Sequence, residues 1–396
     1  MDKQAKIYVA GHLGLVGSAI WNNLVEKGYT NLIGKSIDEL DLMDSSAVKC
    51  FFDHEHPEYV FLAAAYVGGI MANNIYRADF IYRNMQIQQN VIGESYRHQV
   101  QKLLFLGSTC IYPRDAQQPI REESLLTGPL EYTNEPYAIA KIAGMKMCES
   151  FNIQYGTNYM AVMPTNLYGP NDNFHLEKSH VLPAMIRKIY LGKCLCENDW
   201  DTVSMDLRLR PIEGINGDGD HKDILNILNK YGITANYVTL WGTGKPLREF
   251  LWSEEMADAC VYIMENVDFK DLAGNDKESV HPLSPFGGSA PSLSPFRMSA
   301  PSLSPFGGGR GRSSEIRNCH INIGTGKEIS IADLAQLISK TIGYTGKIVF
   351  DAGKPDGAMR KLTDVTKLHR LGWHHQIEID EGVKRLYEWY ANPITN

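Results

Sequence analysis

The chain has 396 residues, 43% of them hydrophobic and 21% charged, which exceeds a single small module and excludes wholesale disorder, collagen and coiled coil. Lys and Arg number 39 against 46 Asp and Glu, a net charge of −7 that offers no general attraction to nucleic acid or anionic membranes. No run of about 18 apolar residues occurs and the first residues do not read as a signal peptide, so a soluble cytoplasmic protein with neither nucleic-acid nor membrane partners is expected.

Up to residue 165, short β-branched runs alternate with longer helical patterns, which predicts an α/β fold built on a doubly wound parallel sheet of the Rossmann type. Strands are expected at Lys6–Ala10, Asn31–Gly34, Tyr59–Ala64, Lys102–Leu106 and Tyr159–Met163. Helices are expected at Val16–Lys27, Phe80–His98 and Tyr137–Tyr155, where apolar residues recur at helical spacing. Beyond Pro164 the pattern becomes turn-rich, as a smaller substrate lobe at the carboxyl ends of the strands would be. The domain reading is therefore 1–165 for nucleotide and 166–396 mainly for substrate, with some later segments free to return to the first.

Two segments break the rhythm. Residues 193–236 are polar and glycine-punctuated with one expected helix, Lys222–Tyr231, and read as an insertion. A second insertion spans about 268–316, and within its low-complexity stretch 281–312 Leu-Ser-Pro-Phe recurs at 283, 293 and 303, which suggests an extended, mobile surface segment. The seven cysteines are scattered without C-x-x-C spacing, so free thiols are expected rather than disulfides or a metal site, with Cys194 and Cys196 as surface bystanders.

The first expected strand runs into Gly11-x-x-Gly14-x-x-Gly17, followed by a helix through Leu15 and Val16. Glycines at these steps allow a tight turn, close backbone approach to a pyrophosphate, and close packing of helix on strand. The second strand ends in Gly34-Lys35-Ser36 where an NAD site would often carry a carboxylate. A lysine and a hydroxyl suit a 2′-phosphate better than a 2′-hydroxyl, so NADP is favoured over NAD.

The fourth strand ends in Gly107-Ser108-Thr109-Cys110, and downstream Tyr137 and Lys141 stand four apart at the start of a helix. On one helix face the ammonium can favour the phenolate and let the tyrosine exchange a proton with a carbonyl or alcohol. Taken in order with the glycine turn, Ser108, Tyr137 and Lys141 resemble the extended short-chain dehydrogenase/reductase superfamily. More narrowly, Gly107–Pro113, Pro164–Phe174, Ser179–Pro183, Trp241–Gly244 with Arg248–Phe250, and Lys354–Gly357 with Arg360 and Lys361 resemble the GDP-L-fucose synthases.

That resemblance implies conversion of GDP-4-keto-6-deoxy-D-mannose to GDP-L-fucose with NADP(H), by epimerisation at C3 and C5 and reduction at C4. It implies Cys110 and His180 as the base and acid of epimerisation, with Ser108 and Tyr137 bonded to the C4 oxygen and Lys141 on Tyr137 and the nicotinamide ribose. Tyr137, Lys141 and His180 would also border the cofactor, and no metal is implied. Asn166, Arg187, Arg248 and Lys354 would hold the nucleotide sugar, and a homodimer would form through helices near 84–98 and 137–155. Family members carry arginines for the 2′-phosphate where this chain has Leu13 and Ile37, which leaves Lys35, Ser36 and His12 for that task. The rival readings are a non-reducing nucleotide-sugar epimerase or dehydratase and a nicotinamide-sensing protein. A dehydratase would show Thr-Asp-Glu where Ser108-Thr109-Cys110 stands, and a sensor has no need of the full catalytic set.

Overall fold

The computed structural model describes residues 1–176, 179–273, 315–354 and 356–392. The repeats at 281–312 lie outside these, as does nearly all of the expected 268–316 insertion. The amino-terminal part places β1 (Ile7–Ala10), β2 (Leu32–Ile33), β3 (Tyr59–Leu62), β4 (Lys102–Leu106) and β5 (Tyr159–Pro164) in one sheet. Between them run α1 (Leu15–Glu26), α2 (Ser45–Glu55), α3 (Ile70–Ile75), α4 (Arg77–Arg97) and α5 (Glu135–Tyr155).

After β5 the chain forms β6 (Asn166–Tyr168), α6 (Val181–Cys196), α7 (Trp200–Leu209), α8 (His221–Lys230), β7 (Tyr237–Trp241), β8 (Leu247–Arg248), β9 (Phe250–Trp252), α9 (Ser253–Asn266) and α10 (Phe269–Leu272). Then follow β10 (Ile321–Ile323), β11 (Ile329–Ser330), α11 (Ile331–Ile342), β12 (Lys347–Asp351), β13 (Arg360–Lys361), α12 (Thr366–Arg370) and α13 (Ile379–Ala391). β10 returns to the main sheet beside β5, giving the all-parallel order β10-β5-β4-β3-β1-β2.

Period-two alternation makes this sheet the middle of three layers. Ile7, Val9, Phe61, Leu104, Leu106, Met160 and Val162 face α1 and α9. Tyr8, Val60, Leu62, Leu103, Phe105, Ala161 and Met163 face the opposite way, toward α2, α4 and α5. Each fully buried Ile, Val, Leu or Phe contributes about 1.5–3 kcal/mol, so both faces are strongly specified. The helix ends follow local chemistry: Asp44 accepts from Ser46 and Ala47 N–H ahead of α2, and Pro136 opens α5.

The segment 193–236 departs from the sequence expectation. It forms two helices after the end of α6, capped by Asp199 and Asp220, whose Val203, Leu207, Ile224 and Leu228 bury against Leu191 and Cys194. Their sparse apolar residues fall at helical spacing, enough for a small satellite core although the composition looks loop-like. Cys194 is consequently buried rather than a surface thiol, while Cys196 is exposed.

Candidate active site

β1 and β3 lie side by side although β2 separates them in the chain, so their carboxyl ends open the crevice at the switch of strand order. Gly11 leaves β1 with φ +85°, and a Cβ there would stand 2.8 Å from the Ala64 nitrogen after β3. A Cβ on Gly17 would meet the Gly11 carbonyl oxygen at 2.0 Å, so α1 can pack this closely only without one. Gly14 caps α1 without a side-chain acceptor, which leaves the amides of the first turn, at Leu15 and Val16, to an anion. Backbone cradle and bare helix start fit the diphosphate of a dinucleotide.

Beside this turn, the His12 ring packs at a 45° tilt against Trp21 with ring centroids 5.4 Å apart and fills the space over Gly34. Lys35 pairs with Glu39 at 3.8 Å, and Glu39 also accepts the Ser36 N–H at 2.8 Å. These contacts hold the Glu39 carboxyl below its usual range. Leu13 and Ile37 project into solvent, 68% and 76% exposed.

The second group gathers at the end of β4. Ser108 leaves the strand extended, and its Oγ accepts the Cys110 N–H at 3.3 Å, starting a short 3₁₀ turn over Thr109–Ile111. Cys110 is 6% exposed, and burial pushes its thiol up against the opposing charges of Lys361 and Lys141. On α5, Lys141 sends its ammonium to the Leu106 carbonyl at 2.7 Å and stands 5.7 Å from the centre of the Tyr137 ring. Burial lowers Lys141 to about 8 and raises Tyr137, with Cys110 adding to the latter. Phe80 packs edge-on against the Tyr137 ring at 6.2 Å.

The third group comes from segments after residue 165. β8 pairs with β11 on one side and β13 on the other, setting Lys361 opposite Arg248. Arg248 donates to the Leu247 and Asp356 carbonyls at 2.8 and 3.3 Å, and burial lowers its pKa against the pull of Asp356. Lys354 lies 5.4 Å over the Trp241 ring, and Asp356 ties this loop to Thr243 at 2.6 and 2.7 Å. Asn166 donates its amide to the Glu249 carbonyl at 2.8 Å. His180 stands exposed at the head of α6, and desolvation by its surroundings lowers the imidazole pKa.

One expected ligand is not available. Arg187 is 1% exposed, inside the core between α6 and α7. Its Nε and Nη2 reach Asp206 at 3.0 and 2.9 Å, and it also donates to the Phe174 and Arg210 carbonyls. The partner comes from the 193–236 segment, so the guanidinium read as a diphosphate ligand is consumed by a structural ion pair.

Three further residues escaped the sequence reading. Glu249, fully buried, accepts from Thr325, Gly326 and Thr363. A carboxylate inside the apolar strand pattern Leu247–Trp252 was the available signal. Lys361 of β13 stands opposite Arg248 in the β8–β13 register, a pairing between distant segments that carries no sequence signal. Asp172 is raised to about 7 by burial, its Oδ2 has no hydrogen-bond partner among the described residues, and its neighbour Asn171 reaches Ser18 of α1 at 3.3 Å.

The NAD dependent epimerase/dehydratase family matches residues 7–274. GDP-L-fucose synthase of Escherichia coli (strain K12) is 43% identical over 390 residues, covering 98% of this chain and 97% of that protein. A solved GDP-6-OMe-4-keto-L-xylo-heptose reductase from C. jejuni is 41% identical with a TM-score of 0.84, covering 100% of this chain and 99% of that one. A solved GDP-mannoheptose C4 reductase from Campylobacter jejuni with NADP bound is 40% identical with a TM-score of 0.79, covering 98% and 99%.

Proposed function

As a member of the NAD dependent epimerase/dehydratase family, the chain, we propose, converts GDP-4-keto-6-deoxy-D-mannose to GDP-L-fucose with NADPH. The observation that carries this reading is the convergence of Ser108, Cys110, Tyr137 and Lys141 at the carboxyl end of β4, beside the glycine turn, in a chain 43% identical to a GDP-L-fucose synthase.

The amides after Gly14, with Lys35 and Ser36 at the far end, hold the cofactor, which when bound supplies the hydride that reduces C4. Cys110 as thiolate takes a proton from carbon next to the ketone, and the C–H electron pair moves onto the C4 oxygen. Ser108 and Tyr137 donate hydrogen bonds to that oxygen as its charge grows. His180 returns a proton to the opposite face, which inverts the centre; Cys110 then gives its proton to solvent and His180 takes one up, and the same exchange at the second carbon completes epimerisation. Tyr137 finally gives its proton to the C4 oxygen, eased by the Lys141 cation at its ring. Arg248, Lys354 and Asn166 bind the nucleotide sugar, chiefly through the diphosphate. The elements before residue 165 thus serve the cofactor and those after it mainly the substrate.

We also infer a homodimer formed through α4 and α5, whose Tyr82, Met85, Ile139 and Ile153 leave apolar surface exposed, and a cytoplasmic setting. Among the described residues no helix is long and apolar enough to cross a membrane.

A second reading, favoured by the two solved reductases of similar identity, is C4 reduction of a GDP-4-keto-heptose without epimerisation. The test runs both substrates with NADPH in deuterium oxide. GDP-L-fucose carrying deuterium at C3 and C5 is the expected product. NADPH oxidation without deuterium at either carbon would replace the first reading with the second.

A further inference from the structure

We propose that Tyr112 is a positioning residue: its hydroxyl, bonded to His320 and Asn322, anchors the turn that carries Ser108 and Cys110 and so sets where both stand against the substrate. The inference rests on the reading of Ser108 and Cys110 as reacting groups.

Ser108, Cys110 and Tyr112 belong to one 3₁₀ turn, which Tyr112 closes at its carboxyl end. The bonds within it are long. Ser108 Oγ accepts the Cys110 N–H, the Ser108 carbonyl accepts the Ile111 N–H and the Thr109 carbonyl accepts the Tyr112 N–H, all at 3.3 Å. An N–H to carbonyl bond is usually about 2.9–3.0 Å, so the turn grips itself weakly. Ile111 is fully buried, but apolar packing is non-directional. A directional hold has to come from outside the turn.

Tyr112 supplies it. Its buried hydroxyl donates to Asn322 Oδ1 of β10 and lies 3.0 Å from Nε2 of His320, just ahead of that strand. Asn322 Nδ2 donates to the Ile120 and Asp364 carbonyls at 3.0 and 3.3 Å, which turns Oδ1 toward the phenol. The single phenolic proton therefore goes to Asn322, and His320 donates the second bond through Nε2–H. That tautomer leaves Nδ1 bare, and Nδ1 has no hydrogen-bond partner among the described residues. Burial lowers the imidazole to about 3, so His320 stays neutral. Burial also raises the phenol well above its usual range, so Tyr112 moves no proton and acts through the turn.

The support on the other side is firm. Ile321 and Ile323 pair with Val162 and Pro164 of β5, and Glu122 accepts the Asn322 N–H at 3.1 Å. Lys367 of α12 donates to the His320 carbonyl at 3.0 Å and stands 3.8 Å from Glu122. Tyr112 passes this rigidity to Cys110 and Ser108 along its own short stretch of backbone. A misplacement of about 1 Å can slow a positioned reaction by about 10²-fold.

The test uses the full chain with Tyr112→Phe, which keeps the ring and removes the hydroxyl. Amide hydrogen exchange in the peptide over 107–113 is expected to quicken. Solvent-deuterium incorporation at C3 and C5 is expected to fall by about 10- to 100-fold, with substrate KM and NADPH affinity little changed. His320→Gln still offers an N–H to the phenol and should keep wild-type incorporation, whereas His320→Leu should slow it in the same direction as Tyr112→Phe. That pair decides the question if Tyr112→Phe does not fold. A folded Tyr112→Phe with a lower melting temperature but wild-type incorporation, or with a rise in KM alone, would make the hydroxyl merely structural and overturn the proposal. Undiminished incorporation in Cys110→Ser would defeat the base reading instead; quicker amide exchange over 107–113 in Tyr112→Phe would then still support the anchor, and unchanged amide exchange would overturn it.

Discussion

Asp206 holds Arg187 through its Oδ2, 3.0 Å from Nε and 2.9 Å from Nη2, in a core that excludes water from both side chains. The other carboxylate oxygen accepts the Tyr390 hydroxyl of α13, and Arg210 lies 3.8 Å away. The pair therefore ties α7 to α6 and to the carboxyl-terminal helix. Removing Asp206 alone leaves an uncompensated buried guanidinium, and Asp206→Ala should cost about 3–5 kcal/mol of stability. The double change Arg187→Met with Asp206→Leu should cost far less. Urea unfolding of both variants checks this, and equal losses would mean that the charge pairing is not what matters.

Tyr137→Phe removes the phenol proposed as proton donor while leaving the glycine turn intact. NADPH oxidation should fall by about 10²–10⁴-fold, with NADPH affinity by fluorescence little changed. Turnover within tenfold of wild type would remove the tyrosine from its role.

Lys141, lowered to about 8 by burial, must be charged to favour the phenolate of Tyr137. It is protonated below that value, so the rate of hydride transfer should decline as pH climbs through about 8. Single-turnover NADPH oxidation between pH 6 and about 9.5 measures it, and a rate flat across that span would contradict the lysine's assignment.

Asp172 keeps its proton to about 7 in the fold but to only 3.8 in water. The unfolded chain releases that proton first, so stability falls as pH rises from 3.8 to about 7, by at most about 4 kcal/mol at roughly 1.4 kcal/mol per pH unit. Asp172→Asn should therefore gain stability at pH 8 and none at pH 4. Thermal melting at the two pH values checks it, and an equal shift at both would point to packing instead.

Glu39 sits 3.8 Å from Lys35, the cation nearest the expected 2′-phosphate. Its negative charge competes with a phosphate for that lysine. Glu39→Gln should tighten NADPH several-fold and leave NADH unchanged, whereas Lys35→Ala should weaken NADPH alone. Titration of both cofactors by fluorescence decides it, and parallel changes for both would exclude a 2′-phosphate role.

Strand alternation, glycine spacing and the four-residue step from Tyr137 to Lys141 are local properties, so the amino acid order alone determined the parallel sheet, the glycine turn and the helix that carries Tyr137 and Lys141. It also carried Ser108 and Cys110 to a strand end, because β4 stops where its apolar run stops. Tertiary structure decided what distant segments do to each other. Asp206 captures Arg187 from 19 positions away, and the β8–β13 register brings Lys361 to Arg248 from more than 100 positions away. Glu249 binds residues 325, 326 and 363 together. Whether an arginine meets a ligand or a buried carboxylate depends on which element packs over it, and no spacing within the chain encodes that contact.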